Sequence, residues 1–396
     1  HRVARDHVGR GVESRSFRRC DDDPPAGESL GDVVVGVAAH GVGLPRQEAR
    51  HLGIADQAGR QRHMHVEQVT TIASIQHIAG VSHGGTGFGQ CSQLFFADTP
   101  LTAIKLVELA EKAGFPKGVI NLVMGSASKI GGVWLSDPRV RKVTFTGSTE
   151  VGKVLMKQGA DTIKKLSLEL GGHAPIIILD DADIPKAVEG VMASKFRNAG
   201  QTCVCGNRIY VQSGIYETFI TAFAEAVESL KIGDGMAEGV TIGPLINKAG
   251  VDKVISHVED AVKLGAKIVA GGEQPKEKGN FYLPTILKDV TSEMLIMHEE
   301  TFGPVAPIQK FETVDEVIQL ANDTPFGLAA YVFTESVSKG TRIVEALDFG
   351  IIGWNDGAPS APQAPFGGMK ESGLGREGGH QGIDDFVEMQ YVSIGI

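Results

Sequence analysis

The chain has 396 residues, 42% of them apolar and 22% charged, which suits a folded protein of two or three domains and excludes a disordered one. A net charge of −10 offers no basic stripe for nucleic acid, and the apolar run Val33–Ala39 is far too short to cross a membrane. Four cysteines are too few for a disulfide-built scaffold and suit a reducing, cytoplasmic setting; no metal site is expected.

Composition then divides the chain. Residues 1–97 hold ten arginines and no lysine, whereas residues 98–396 hold 22 lysines and six arginines. Ten acidic residues balance the arginines of the first segment, so the whole −10 belongs to the second. A domain border alone rarely changes lysine usage this sharply. The first segment therefore reads as a stretch of different origin, out of frame or disordered. Within it, Gly84-Gly85-Thr86-Gly87-Phe88-Gly89 lacks the G-x-G-x-x-G spacing of a dinucleotide loop, and His63-Met64-His65 lacks further metal ligands. Neither is assigned a function.

From Asp98 onward the local signals agree. Thr99-Pro100 reads as the cap and first position of a helix that Gly114 closes, and Val119–Val123 follows as a short strand. Lys142–Thr146 is a second strand, and Gly147-Ser148-Thr149 opens a helix through Gln158. Pro175–Leu179 is a buried strand, followed by a helix from about 184 to 197. Helical patterns recur at 215–230 and 249–264. Strands alternating with helices predict an α/β fold with parallel sheets.

Three segments carry chemistry. In Phe145–Gly152, small Gly147 and Ser148 precede a helix amino terminus, whose free N–H groups suit a phosphate; the same residues also suit a plain turn. In Asn198–Cys205, Cys203 follows a small-residue turn and reads as an exposed nucleophile or as a buried small apolar residue. In Leu168–Pro175, Glu169 lies between leucines ahead of two glycines. Apolar surroundings would raise its pKa toward that of a general base; a solvated strand end is the alternative.

Together these motifs resemble the NAD(P)-dependent aldehyde dehydrogenase superfamily. Leu168-Glu169-Leu170-Gly171-Gly172 precedes Gly200-Gln201-Thr202-Cys203, and Phe145–Ser148, Glu300-Thr301-Phe302-Gly303-Pro304 and Pro365–Gly368 complete the order. Within the superfamily, Ser194–Cys205 and Lys370–Gly379 most resemble succinate-semialdehyde dehydrogenases. The resemblance implies a Rossmann-type nucleotide domain, aberrant at its amino end, over 98–171. A catalytic α/β domain over 172–365 and a C-terminal segment over 366–396 would follow. Phe386–Ile394 would be the edge strand that joins subunits into a homo-dimer or homo-tetramer.

It also implies roles. Cys203 is the nucleophile and Glu169 the base. Gly147, Ser148, Gly152, Glu300 and Phe302 contact NAD or NADP. Arg197 and Ser360 hold the carboxylate of a small ω-carboxy aldehyde, succinate or glutarate semialdehyde, although Arg197 alone also reads as a cation ending a helix. Cys205 would pair with Cys203 as a redox switch. No nucleic-acid or membrane partner is implied. The upstream asparagine of the oxyanion hole, the Lys-Pro pair at the adenine ribose and a second substrate arginine are not found. A non-catalytic remnant therefore stands as the alternative, as does a dehydrogenase for another aldehyde; an acylating relative is disfavoured by Glu169.

Overall fold

The computed structural model describes residues 34–38, 91–95, 100–276 and 278–396. The His63–His65 and Gly84–Gly89 segments and the Thr99 cap lie outside the described residues. Elements are numbered here in chain order among those described.

The first sheet contains β1 (Val34–Ala38), β2 (Cys91–Phe95), β3 (Ile120–Met124), β4 (Lys142–Thr146), β5 (Lys165–Glu169) and the short β13 (Gly373–Leu374), in the order β13-β5-β4-β1-β2-β3. The β4/β5 and β2/β3 pairs are parallel, as expected for strands joined by helices. Between them, β1 runs antiparallel to both neighbours. Two stretches of the lysine-free segment thus form strands, β1 in the middle of a sheet, where no regular structure was expected. The apolar run noted at Val33–Ala39 supplies that strand.

Helices α1 (Pro100–Lys112), α2 (Ala127–Ser136) and α3 (Thr149–Gly159) accompany this sheet. Among the described residues its core includes Leu135, Val143, Phe145, Leu155, Leu168 and Leu170. Gly114 ends α1 with φ +90°, a conformation only glycine adopts without strain.

After β5 the chain changes sheets. The second sheet contains β6 (Ala174–Ile178), β7 (Gly206–Gln212), β8 (Lys267–Ala270), β9 (Thr285–Lys288), β10 (Val305–Phe311), β11 (Ala329–Phe333) and β12 (Ile351–Trp354), in the order β12-β11-β6-β7-β10-β9-β8. Every pair is parallel except β8/β9. Helices α4 (Ile184–Lys195), α5 (Tyr216–Glu228), α6 (Lys248–Lys263), α7 (Val314–Asn322) and α8 (Val337–Ala346) accompany it, and α9 (Gln381–Asp384) lies near the C-terminus. Strands covered on both faces read as continuous apolar runs, and Ile176, Ile177 and Ile178 are fully buried.

One expectation needs correction. Helix α4 ends at Lys195 rather than Arg197, because Asn198 and Ala199 take left-handed φ values of 52° and 55° that no α-helix continues through. The expected edge strand Phe386–Ile394 would pair with a second copy, and among the described residues the single chain offers it no ladder. Lys165 and Arg141 hold the Glu388 carboxylate, but beyond it Met389, Tyr391, Val392 and Ile394 are exposed and pair with neither sheet. Without a ladder partner, extended backbone has nothing to hold it as a strand. Among the described residues, no helix is long and apolar enough to cross a membrane.

Candidate active site

Three chain segments meet where the two sheets adjoin. Glu169 leaves the carboxyl end of β5, Cys203 precedes the amino end of β7, and Glu300 and Phe302 precede the amino end of β10. Backbone fit, made possible by glycine, brings them together. A Cβ on Gly172 would lie 2.1 Å from the Cys203 carbonyl oxygen, so only glycine lets the cysteine turn close onto the end of β5. Gly200, at φ +75°, makes the equivalent approach to the Gly303 carbonyl, also at 2.1 Å. The Gly172 N–H then donates to Glu300 Oε1 at 3.1 Å.

Glu169 is 5% exposed, and its Oε1 has no hydrogen-bond partner. Burial raises its pKa well above the usual carboxylate range, and the charge of Glu377 raises it further, while the Cys203 thiol opposes the shift. The thiol is itself pushed up, first by burial and then by the Glu169 charge. Burial thus disfavours the charged form of both groups where they face each other.

Glu377 is the functional neighbour that sequence reasoning missed. Gly373 pairs with Glu169 in β13/β5, Phe366 and Glu377 exchange backbone hydrogen bonds of 2.6 Å, and Ser372 Oγ donates to the Gly171 carbonyl at 2.7 Å. The Lys370–Gly379 motif thus backs the end of β5 that carries Glu169. Its charged residue lies some 200 positions from Glu169 in sequence, so only the fold reveals the pairing.

At the first sheet, Ser148 caps α3, its Oγ accepting the Val151 N–H at 3.4 Å, and the Gly147 N–H donates to the Glu169 carbonyl at 3.0 Å. A Cβ on Gly152 would meet Leu170 at 2.6 Å, so this glycine seats α3 against the strand end. A Cβ on Gly171 would touch Glu300 Oε2, Phe326 and Thr149 Oγ1 within 3.4 Å. The helix amino terminus, Glu300 and the end of β5 therefore border one space. Burial raises the Glu300 pKa to about 7, against the Gly172 N–H. Phe302 has φ +53°, a strained conformation for an aromatic residue. These groups suit the phosphate and nicotinamide end of a dinucleotide: free helix N–H groups, a carboxylate and an aromatic ring around a space kept open by glycine.

Arg197 Nε is buried without a hydrogen-bond partner, and no ion pair among the described residues includes this side chain. Arg197 and Cys203 both act on the Tyr331 hydroxyl, which donates to the Val204 carbonyl at 2.6 Å. Arg197 thus stands on the turn that leads to Cys203, its buried Nε without a partner. Ser360 is exposed on the loop after β12, and that loop packs Gly357 against the Gly190 backbone in α4, two turns from Arg197. No contact joins Ser360 itself to the other site residues. Cys205 is buried; its thiol donates to the Lys195 carbonyl at 3.5 Å, and both cysteines are free.

The two-sheet α/β fold thus sets a cysteine thiol against a buried carboxyl, beside a helix amino terminus. The chain is a member of the aldehyde dehydrogenase family, whose sequence profile matches residues 96–392. It is 55% identical to a mitochondrial succinate-semialdehyde dehydrogenase of Arabidopsis thaliana, over 75% of this chain and 56% of that one. It is 53% identical to a 3-sulfolactaldehyde dehydrogenase of Pseudomonas putida, over 76% of this chain and 62% of the relative. The crystal structure of an E. coli NADP-dependent enzyme superposes with a TM-score of 0.76 at 53% identity, covering 76% of this chain and 63% of that one. The chain therefore has the α/β aldehyde dehydrogenase fold over its matched part, and it spans less than two thirds of the length of these relatives.

Proposed function

We propose that this protein oxidises a short aldehyde carrying an anionic far end, succinate semialdehyde or a near homologue such as glutarate semialdehyde, with NAD or NADP. One observation carries the reading: the Cys203 thiol faces a buried Glu169 carboxyl whose Oε1 has no hydrogen-bond partner, and Arg197, six residues before the thiol, also keeps a buried Nε without one. The names of two relatives fit it, since succinate semialdehyde and sulfolactaldehyde each join an aldehyde to an anion.

In this reading Arg197, with Ser360, takes the substrate carboxylate and aims the aldehyde carbon at Cys203. Glu169 accepts the thiol proton, and sulfur adds to the carbonyl. Among the described residues no hydrogen bond uses the Cys203 N–H, which is free to hold the resulting oxyanion. A bound nicotinamide dinucleotide supplies the hydride acceptor. Gly147, Ser148 and Gly152 shape its phosphate site, and Glu300 and Phe302 its nicotinamide end. Glu169 releases that proton to solvent and then takes one from water, which attacks the Cys203 thioester; as the acyl–sulfur bond breaks, the departing sulfur takes the proton back from Glu169 and the product ionises to the carboxylate.

Residues 98–171 would act as the remaining nucleotide domain, 172–365 as the catalytic domain, and 366–396 as the segment whose exposed tail pairs with a second copy. Oxidation of Cys203 to a disulfide with Cys205 would require Cys205 to leave the Lys195 carbonyl. Loss of activity with peroxide that dithiothreitol reverses, and that Cys205→Ser abolishes, checks that step.

The decisive assay follows reduced-nicotinamide absorbance with succinate semialdehyde, NAD and NADP being offered separately, with Cys203→Ala as control. Turnover that the control lacks supports the reading. No turnover from folded protein makes the chain a non-catalytic member of its family.

A further inference from the structure

Helix α6 lies against the loop that carries Glu300 and Phe302. Val254, His257 and Ala261, at helical spacing, are all buried. A Cβ on Gly303 would meet Val254 at 2.3 Å, and Asp260 accepts the Leu295 N–H at 2.8 Å, so the helix splints the loop from both ends.

Between these contacts sits His257, 1% exposed. Its Nδ1 lies 3.2 Å from Thr301 Oγ1 and its Nε2 lies 3.3 Å from Glu299 Oε2. One ring thus grips the residues on both sides of Glu300. A neutral ring satisfies both contacts: Nε2–H donates to the Glu299 carboxylate, and Nδ1 accepts the Thr301 hydroxyl. Burial, then the Lys253 charge, lowers the histidine pKa and favours that neutral form, against Glu299.

The loop has reason to be held. Phe302 is left-handed at φ +53°, a backbone state that surrounding contacts must impose. Beyond it, the Gly303 carbonyl fits against Gly200 in the cysteine turn, so a loop out of place would also release the nucleophile.

We propose that His257 is a positioning residue. By clamping Glu299 and Thr301, it fixes Glu300 and Phe302 toward the bound dinucleotide and seats the turn that carries Cys203. The dinucleotide half of this inference rests on the dehydrogenase reading; the clamp itself does not.

The test compares the full chain with His257→Ala, His257→Gln and Thr301→Val. Three quantities are measured: hydrogen exchange over 299–303, the rate of Cys203 alkylation by iodoacetamide, and the KM of each substrate. The clamp predicts exchange faster by about tenfold or more in His257→Ala, with partial recovery in His257→Gln, which keeps one donor. Alkylation should quicken by at least about threefold. The nucleotide KM should rise about tenfold while the aldehyde KM stays within about twofold. Exchange and alkylation unchanged from the parent would overturn the proposal. Should His257→Ala fail to fold, Thr301→Val, which removes only the hydroxyl, carries the same readouts. A parent chain without turnover sinks the dehydrogenase reading, yet exchange and alkylation still decide the clamp.

Discussion

Strand β6 buries all five of its residues, Ala174–Ile178, whereas β3 in the other sheet buries none of its five. The same contrast runs through both halves. The second sheet is parallel apart from one edge pair and has an extended core that includes Phe219, Phe223, Phe311 and Phe333. Among the described residues the first sheet has a core that includes Leu135, Val143 and Phe145, and its middle strand comes from outside the family-matched region. Cys203 and Arg197 are tied to the second sheet, whereas Ser148 and the α3 amino terminus are tied to the first. The half proposed to hold the nucleophile draws its strands from the family-matched region, while the half proposed to hold the dinucleotide includes β1.

Removing the nucleophile tests that division most severely. Cys203→Ala should reduce turnover by about 10⁴-fold or more while leaving the melting temperature within about a degree. A variant that still turns over would move the chemistry out of the second half. Hydrogen exchange probes the packing directly: amides of β6, β7 and β11 should exchange about 10³-fold more slowly than those of β3. Equal protection would erase the contrast.

Gly172→Ala addresses the seam between the sheets. Its new methyl meets the Cys203 carbonyl, the turn must withdraw, and kcat should fall about 10²-fold. Arg197→Met should raise the aldehyde KM about 10–100-fold with little change in the nucleotide KM, because a charge-assisted contact is lost on one side only.

The smallest effect is a displacement in pH. Glu169 is raised mainly by burial and next by Glu377, so Glu377→Gln removes a negative neighbour and lets the Glu169 pKa fall. The acid limb of the rate profile should then move to lower pH. A limb that stays in place would mean that Glu377 does not influence the base.

Much of this arrangement was legible in local sequence. Lys142–Thr146 was read as a strand with the bounds observed, and Ser148 sits at the cap position that its neighbours predicted, because both depend on residues a few places apart. The apolar setting of Glu169 also followed from the flanking leucines. The partners of Glu169 and Glu300 did not: Glu377 reaches the base through β13, and His257 reaches Glu299 and Thr301 across a helix packing. Such contacts have no local signature. The Phe386–Ile394 segment meets the same limit: its alternating apolar residues read as a strand, but the pairing expected of it depends on a second copy that local sequence does not contain.

The glycines at the seam also restrict how defects there could be repaired. At Gly172, Gly200 and Gly350, the atom that an added methyl would strike is a backbone carbonyl oxygen, of Cys203, Gly303 and Gly367 respectively. A second mutation can trim a side chain, but no substitution shrinks a carbonyl. A genetic screen for suppressors of alanine at these positions should therefore recover reversion to glycine far more often than changes at the opposing residue.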